Sequence, residues 1–175
     1  MAGRTTSLAS VLRAACVNAN PLEMNPNKEY RFTWHFDGLP HEIIATISAA
    51  RSRFYYEDLN DDRLPPRVRA EAEHLRGCHG FIFVIDSQTA RWDANLDEFD
   101  KLRRDLSVYG RSLDEVPIVF QLNKRDLNDI CALEQARDAL FTRSCAYVQS
   151  VAPQDIGTRE AVNALLELMG NPKTT

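Results

Sequence analysis

The chain has 175 residues, 44% apolar and 26% charged, with a formal net charge of -4. That length falls within the ~100–200 residues of one domain, with enough Leu, Ile, Val and Phe to bury a core unaided. Interspersed charges exclude a polybasic nucleic-acid or membrane surface, four scattered cysteines exclude a disulfide or zinc framework, and no apolar run approaches the ~20 residues of a membrane span.

Leu8, Val11, Leu12 and Ala15 share a face and predict a helix over 7–16. Residues 18–28 are rich in Asn and Pro and read as loop. The aromatic stretch 31–36 predicts a short strand, and 43–48 with 53–59 predict two more, paired as a hairpin. Polar residues and a double proline make 60–66 a loop, and 67–76 predicts a helix stopped by Gly77. Gly80-Phe81-Ile82-Phe83-Val84-Ile85-Asp86 is a continuous β-branched and aromatic run, the pattern of a strand buried on both faces. A helix over 92–109 follows, with Leu96, Phe99, Leu102 and Leu106 in register and Gly110 as its stop. Strand 116–122, helix 131–141, strand 146–151 and helix 158–169 complete the series, with Thr158 as N-cap and Gly170 as stop.

Alternating strands and helices force crossovers, hence an α/β class with a mostly parallel sheet and helices on both faces. Ligands of such sheets bind beyond the carboxyl ends of the strands. Asn123-Lys124-Arg125-Asp126 stands at one such end and has the Asn-Lys-x-Asp form. A carboxylate at 126 accepts both the N1 proton and an amino proton of guanine, a bidentate charge-assisted contact. Adenine presents an acceptor at N1 and is rejected. The Asn amide can bond the base edge, and the Lys stem can lie over the purine ring. The bland alternative is a polar turn, since Asn and Asp populate turns everywhere; the placement after a buried strand favours guanine.

Phe83-Val84-Ile85-Asp86-Ser87-Gln88, then Arg91, Asn95 and the run from Pro117 through Asp126, resemble the MglA-type bacterial Ras-like GTPases, which govern polarity and gliding. Val151-Ala152-Pro153, with Gly157 beyond, is similar to that family's last guanine loop, where an N–H near Ala152 meets the base oxygen. Thr33, followed by Phe36-Asp37-Gly38-Leu39-Pro40, is similar to its switch I. Gly3 matches the last glycine of a P-loop, Arg4 stands where the lysine is expected, and Thr5 supplies the metal-side hydroxyl, with Thr6 beside it.

The resemblance implies a single P-loop NTPase-type domain over 1–175, with 1–16 as phosphate loop and first helix. It makes 29–66 a switch-like region and 80–170 the βα repeats carrying the guanine loops. It implies a guanine nucleotide, GTP or GDP, on Gly3, Arg4, Thr5, Thr6, Asn123, Lys124, Asp126, Val151 and Ala152. Mg²⁺ is implied on Thr5 and Thr33, and a roadblock/LC7-type dimer as protein partner, in a cytoplasmic setting without nucleic acid.

Two departures set further expectations. The first P-loop glycine and the strand before it are missing, so the sheet is expected to lack its first central strand, through truncation or a start recorded too late. The switch II region reads Glu57-Asp58-Leu59-Asn60-Asp61-Asp62-Arg63 with no glycine, and its carboxylates repel a triphosphate. That run is read as a solvated loop before a new metal site. No catalytic residue is assigned, and hydrolysis is expected to be weak or absent. The alternative is a pseudo-GTPase serving as an interaction module.

Among the remaining candidates, His74 and Cys78 have ligand-pair spacing without a second pair and read as a helix end. His35 and His41 read as loop residues, and Trp34 as core before partner anchor. Arg91 reads equally as a phosphate contact or a surface charge.

Overall fold

The computed structural model describes residues 3–15, 30–36, 38–45 and 75–170. The expected strand 53–59, the acidic run 57–63, the loops 18–28 and 60–66, Cys16, His74 and most of the helix 67–76 lie outside them. The elements in chain order are α1 (Arg4–Ala14), β1 (Tyr30–Phe36), β2 (Leu39–Ala45), β3 (Phe81–Asp86) and α2 (Trp92–Val108). After these come β4 (Ile118–Asn123), α3 (Leu133–Ala139), β5 (Cys145–Gln149) and α4 (Thr158–Gly170).

Strands β3, β4 and β5 form a parallel sheet in that order, with Asp86 opposite Asn123 and Leu122 opposite Gln149. Period-two alternation divides their side chains between two cores. Phe81, Phe83, Ile85, Ile118, Phe120 and Leu122 pack with Phe99 and Leu106 of α2 and Ala136 of α3. Ile82 faces the other way, toward Val11 and Leu12 of α1 and Val162 and Leu166 of α4. Helices therefore cover both faces, as the alternation of elements requires. Phe83, Phe99 and Phe120 meet edge to face with centroids 5.4–6.1 Å apart, each such pair contributing about 0.5–1.5 kcal/mol beyond its burial.

The described hairpin joins β1 and β2, while the strand expected to pair with 43–48, residues 53–59, lies outside the described residues. Strand β1 pairs antiparallel with β2, Phe36 opposite Leu39 and Trp34 opposite His41. Asp37-Gly38 between two alternating runs is a strong short-range hairpin signal, with Gly38 at φ 75. His35 and His41 are consequently strand residues. Phe32 and Trp34 point inward, and Trp34 is core: it is 2% exposed and donates from Nε1 to Asn163 Oδ1 at 2.9 Å. Among the described residues β2 and β3 are not paired with each other.

Two helix starts also differ. Helix α1 begins at Arg4 because Gly3, at φ 88, turns the chain into it and its carbonyl accepts the Ser7 N–H at 2.8 Å. Thr158 lies inside α4: Gly157 takes the cap position, its carbonyl accepting the Ala161 N–H at 3.1 Å. Gly157 has φ 77, and a Cβ there would collide with the Gln149 carbonyl oxygen and lie 2.8 Å from Ser150 Cα. Among the described residues no helix is long and apolar enough to cross a membrane.

Candidate nucleotide site

The carboxyl ends of β3, β4 and β5 converge with the amino end of α1. Asn123, the last residue of β4, is buried, and its Oδ1 accepts the Ala152 N–H at 3.0 Å and the Ser150 hydroxyl at 3.3 Å. Gly3 lies so close that a Cβ on it would stand 2.5 Å from Asn123 Nδ2. The start of α1, the end of β4 and the loop after β5 thus meet around one amide.

Lys124 follows at φ 65. Its ammonium donates to Asp86 Oδ2 at 2.7 Å, at the end of β3, and to Gln88 Oε1 at 3.0 Å just beyond it. Arg125 fastens the next turn. Its N–H reaches the Ser150 carbonyl at 3.2 Å, Nε reaches Gln149 Oε1 at 2.9 Å, and Nη1 reaches the Cys131 carbonyl at 2.7 Å. Asp126 then stands exposed, its carboxylate without a partner among the described residues. Val151 is buried and bridged to Ile156, and Ala152 is fully buried. The Ala152 N–H, expected at the base oxygen, is engaged by Asn123.

The residues expected on phosphate and metal are placed differently. Arg4 pairs with Glu98 of α2 at 3.3 Å, so its charge is balanced within the protein. Thr5 and Thr6 occupy the first turn of α1, where backbone N–H groups have no helical partner. Thr33 is exposed on β1 and borders a cleft of about 370 Å³ with Ala14, Ala15, Trp34, His35 and Arg159. Ala14 lies roughly 14 Å beyond Thr5 along α1 at ~1.5 Å per residue. Thr5 and Thr33 are not brought together.

Several residues that carried the resemblance without an assigned role in the site build it. Asp86 and Gln88 hold Lys124, and Asn95 ties off the end of β3, accepting the Asp86 N–H at 3.1 Å and donating to its carbonyl at 2.8 Å. Gln121 is buried and donates to Ser7 and Ser150. A glutamine inside an apolar strand run is itself a signal, because buried amides require partners. Arg91 is exposed, and its side chain is without a partner among the described residues. Cys78 ends a helix, its thiol 3.3 Å from the Leu75 carbonyl and 3.3 Å from Arg111 Nη1, and burial pushes that thiol up. Among the described residues no cluster of three or more His, Cys, Asp or Glu could hold a metal.

No family profile matches the chain. It is 30% identical over 172 residues to the mutual gliding-motility protein MglA of Myxococcus xanthus (strain DK1622), covering 97% of this chain and 85% of that protein. The chain belongs to the MglA-type small GTPases. It is thus a small GTPase-like regulatory protein of the α/β P-loop GTPase fold.

The donor sets of an MglA-type site can be weighed against the geometry. On the guanine side, an exposed carboxylate without a partner, Asp126, follows the buried Asn123 in a turn held by the side chains of Lys124 and Arg125. The donors for phosphate fit in part, with free N–H groups at the start of α1 but a cation already paired. The two-hydroxyl set for Mg²⁺ does not fit this arrangement.

Proposed function

We propose that the chain is a guanine-nucleotide-binding regulatory switch with weak or no intrinsic hydrolysis. One observation carries this reading: Asp126 is left exposed and without a partner directly after Lys124 and Arg125, whose side chains are both tied down. A carboxylate so placed accepts two protons from the guanine edge. Asn123 and the Val151-Ala152 loop shape the wall beside it, and Lys124 supports the turn. Gly3, Arg4, Thr5 and Thr6 lie at the helix end that suits phosphate oxygens. GDP or GTP supplies the state that a partner reads.

Weak turnover follows from the phosphate side. Arg4 is paired with Glu98, and Thr33 borders a cleft with Ala14 and Ala15, at the opposite end of α1 from Thr5. The same two facts favour a second reading, a pseudo-GTPase whose surface does the signalling. In either reading the partner class that the family implies is a roadblock/LC7-type dimer, in the cytoplasm. Leu39 and Ile44 of β2, 63% and 51% exposed, offer apolar contact area for it.

Titration of the purified chain with a fluorescent GDP analogue, with and without Mg²⁺, separates the two. Saturable binding that depends little on Mg²⁺ is expected. No binding up to millimolar nucleotide would leave the interaction module. Asp126→Asn is expected to weaken GDP by about tenfold to a hundredfold, the worth of a hydrogen-bonded charge, while xanthosine diphosphate gains. Unchanged base preference would remove Asp126 from the site.

A further inference from the structure

Ser7, Ser10 and Arg13 stand three residues apart along one edge of α1, and all three are tied to the segment after β5. Gln121 Nε2 bridges Ser7 Oγ at 3.1 Å and Ser150 Oγ at 2.9 Å. The hydroxyls of Ser10 and Thr158 lie 2.6 Å apart, both buried. The Arg13 guanidinium holds the Asp155 carboxylate through Nη2 and Nε. Hydrogen bonds from Arg13 and Ser10 keep that carboxyl below the usual carboxylate range.

Between these anchors the backbone is tightly wound. Ala152–Gln154 form a single 3-10 turn, Asp155 has φ 58, Val151 bridges to Ile156, and Gly157 has φ 77. A left-handed non-glycine residue persists only where its surroundings hold it. Arg13 grips the residue that carries that conformation. At the start of the same loop the Ala152 N–H fixes Asn123.

We infer that Ser10, Arg13 and Asp155 are positioning residues for base selection: α1 clamps the loop after β5 and so sets how Ala152 and Asn123 present themselves to a purine. The inference rests on the nucleotide reading above. All three residues act through the loop, so their effect falls on discrimination between bases as well as on stability. A clamp of purely structural value would lower stability and leave discrimination alone.

The test is the ratio of GDP to ADP affinity in the full chain, with thermal unfolding measured in parallel. Arg13→Glu places like charges together and is expected to lower the ratio about two- to fivefold, the range of a partly exposed ion pair. Arg13→Lys keeps the charge and is expected to retain most of the ratio. Asp155→Asn keeps the left-handed preference of the residue and is expected to fall between them. The deficit of Arg13→Glu should shrink in molar salt, where charges are screened within ~3 Å. If the wild-type chain binds GDP and Arg13→Glu lowers the unfolding temperature with the ratio unchanged, the inference is overturned and the nucleotide reading stands. If the wild-type chain shows no preference for GDP, both fall.

Discussion

Lys124 occupies φ 65, a region in which non-glycine residues are uncommon and cost about 1–3 kcal/mol. Its ammonium is held by Asp86, a carboxylate 2% exposed, so the pair balances charge and fixes the turn that displays Asp126. Asp86→Asn leaves the shape and removes the charge. It is expected to lower unfolding free energy by about 1–3 kcal/mol, less than a fully buried pair because the lysine side chain is 30% exposed. Urea midpoints check this, and Lys124→Gln in the same background should recover part of the loss. Wild-type stability in Asp86→Asn would show that the pair supports nothing. Asn123 and Asp126 were legible from four adjacent letters placed after a buried strand. Asp86 and Gln88 were not, because their contact with Lys124 depends on β3 and β4 lying in parallel register, with Asp86 opposite Asn123. Thr33 was assigned by likeness alone, and the regular pairing of β1 with β2 carries it to the far end of α1.

At the scale of elements, what could be read followed the kind of signal each segment carries. The run before Asp86 is apolar throughout, and the helix after it has a clean 3.6-residue period, so β3 and α2 fell where periodicity put them. The hairpin of β1 with β2 was not foreseen, because its turn residues Asp37-Gly38 were read as part of a switch-like motif. The helix starts moved because caps are set by glycine conformations rather than by side-chain type, at Gly3 and Gly157 alike. Gly157 gives that argument its test. Gly157→Ala would put a Cβ onto the Gln149 carbonyl oxygen at a backbone of φ 77, so both steric and conformational costs apply. A loss of about 2–4 kcal/mol is expected, read from chemical unfolding, together with loss of nucleotide binding if the loop after β5 borders the base. A stable, fully binding Gly157→Ala would mean that the junction relaxes more easily than its contacts imply.

Among the described residues the three-stranded sheet carries a core on each face, and the two cores answer to different parts of the chain. The face under α2 and α3 is built from the βα series together with Leu75 ahead of it and is rich in aromatics, ending in Tyr147 stacked on Phe120 at 5.2 Å. The face under α1 and α4 takes its residues from the first helix, the hairpin and the last helix, so its composition could not be read from any one segment. Tyr147 links the aromatic core to the end of α3, its hydroxyl donating to the Leu140 carbonyl at 2.6 Å. Burial, then the neighbouring Cys145, pushes its phenol well above the ordinary tyrosine range. In the unfolded chain the same group ionises near pH 10, within about one unit of the free side chain. Below that pH both states keep the proton and stability does not depend on it. Above it the unfolded state releases a proton that the folded state retains, so stability falls as pH rises. The slope stays under the ~1.4 kcal/mol per pH unit of a whole proton, because the ring is only partly buried. Unfolding midpoints at pH 8 and pH 10.5, compared between the wild-type chain and Tyr147→Phe, isolate this residue from the lysines and other tyrosines that titrate alongside it. The variant is expected to be less stable at pH 8, where the hydrogen bond is intact, and to close the gap at pH 10.5. A gap of equal size at both pH values would mean that the hydroxyl ionises no differently in the folded chain.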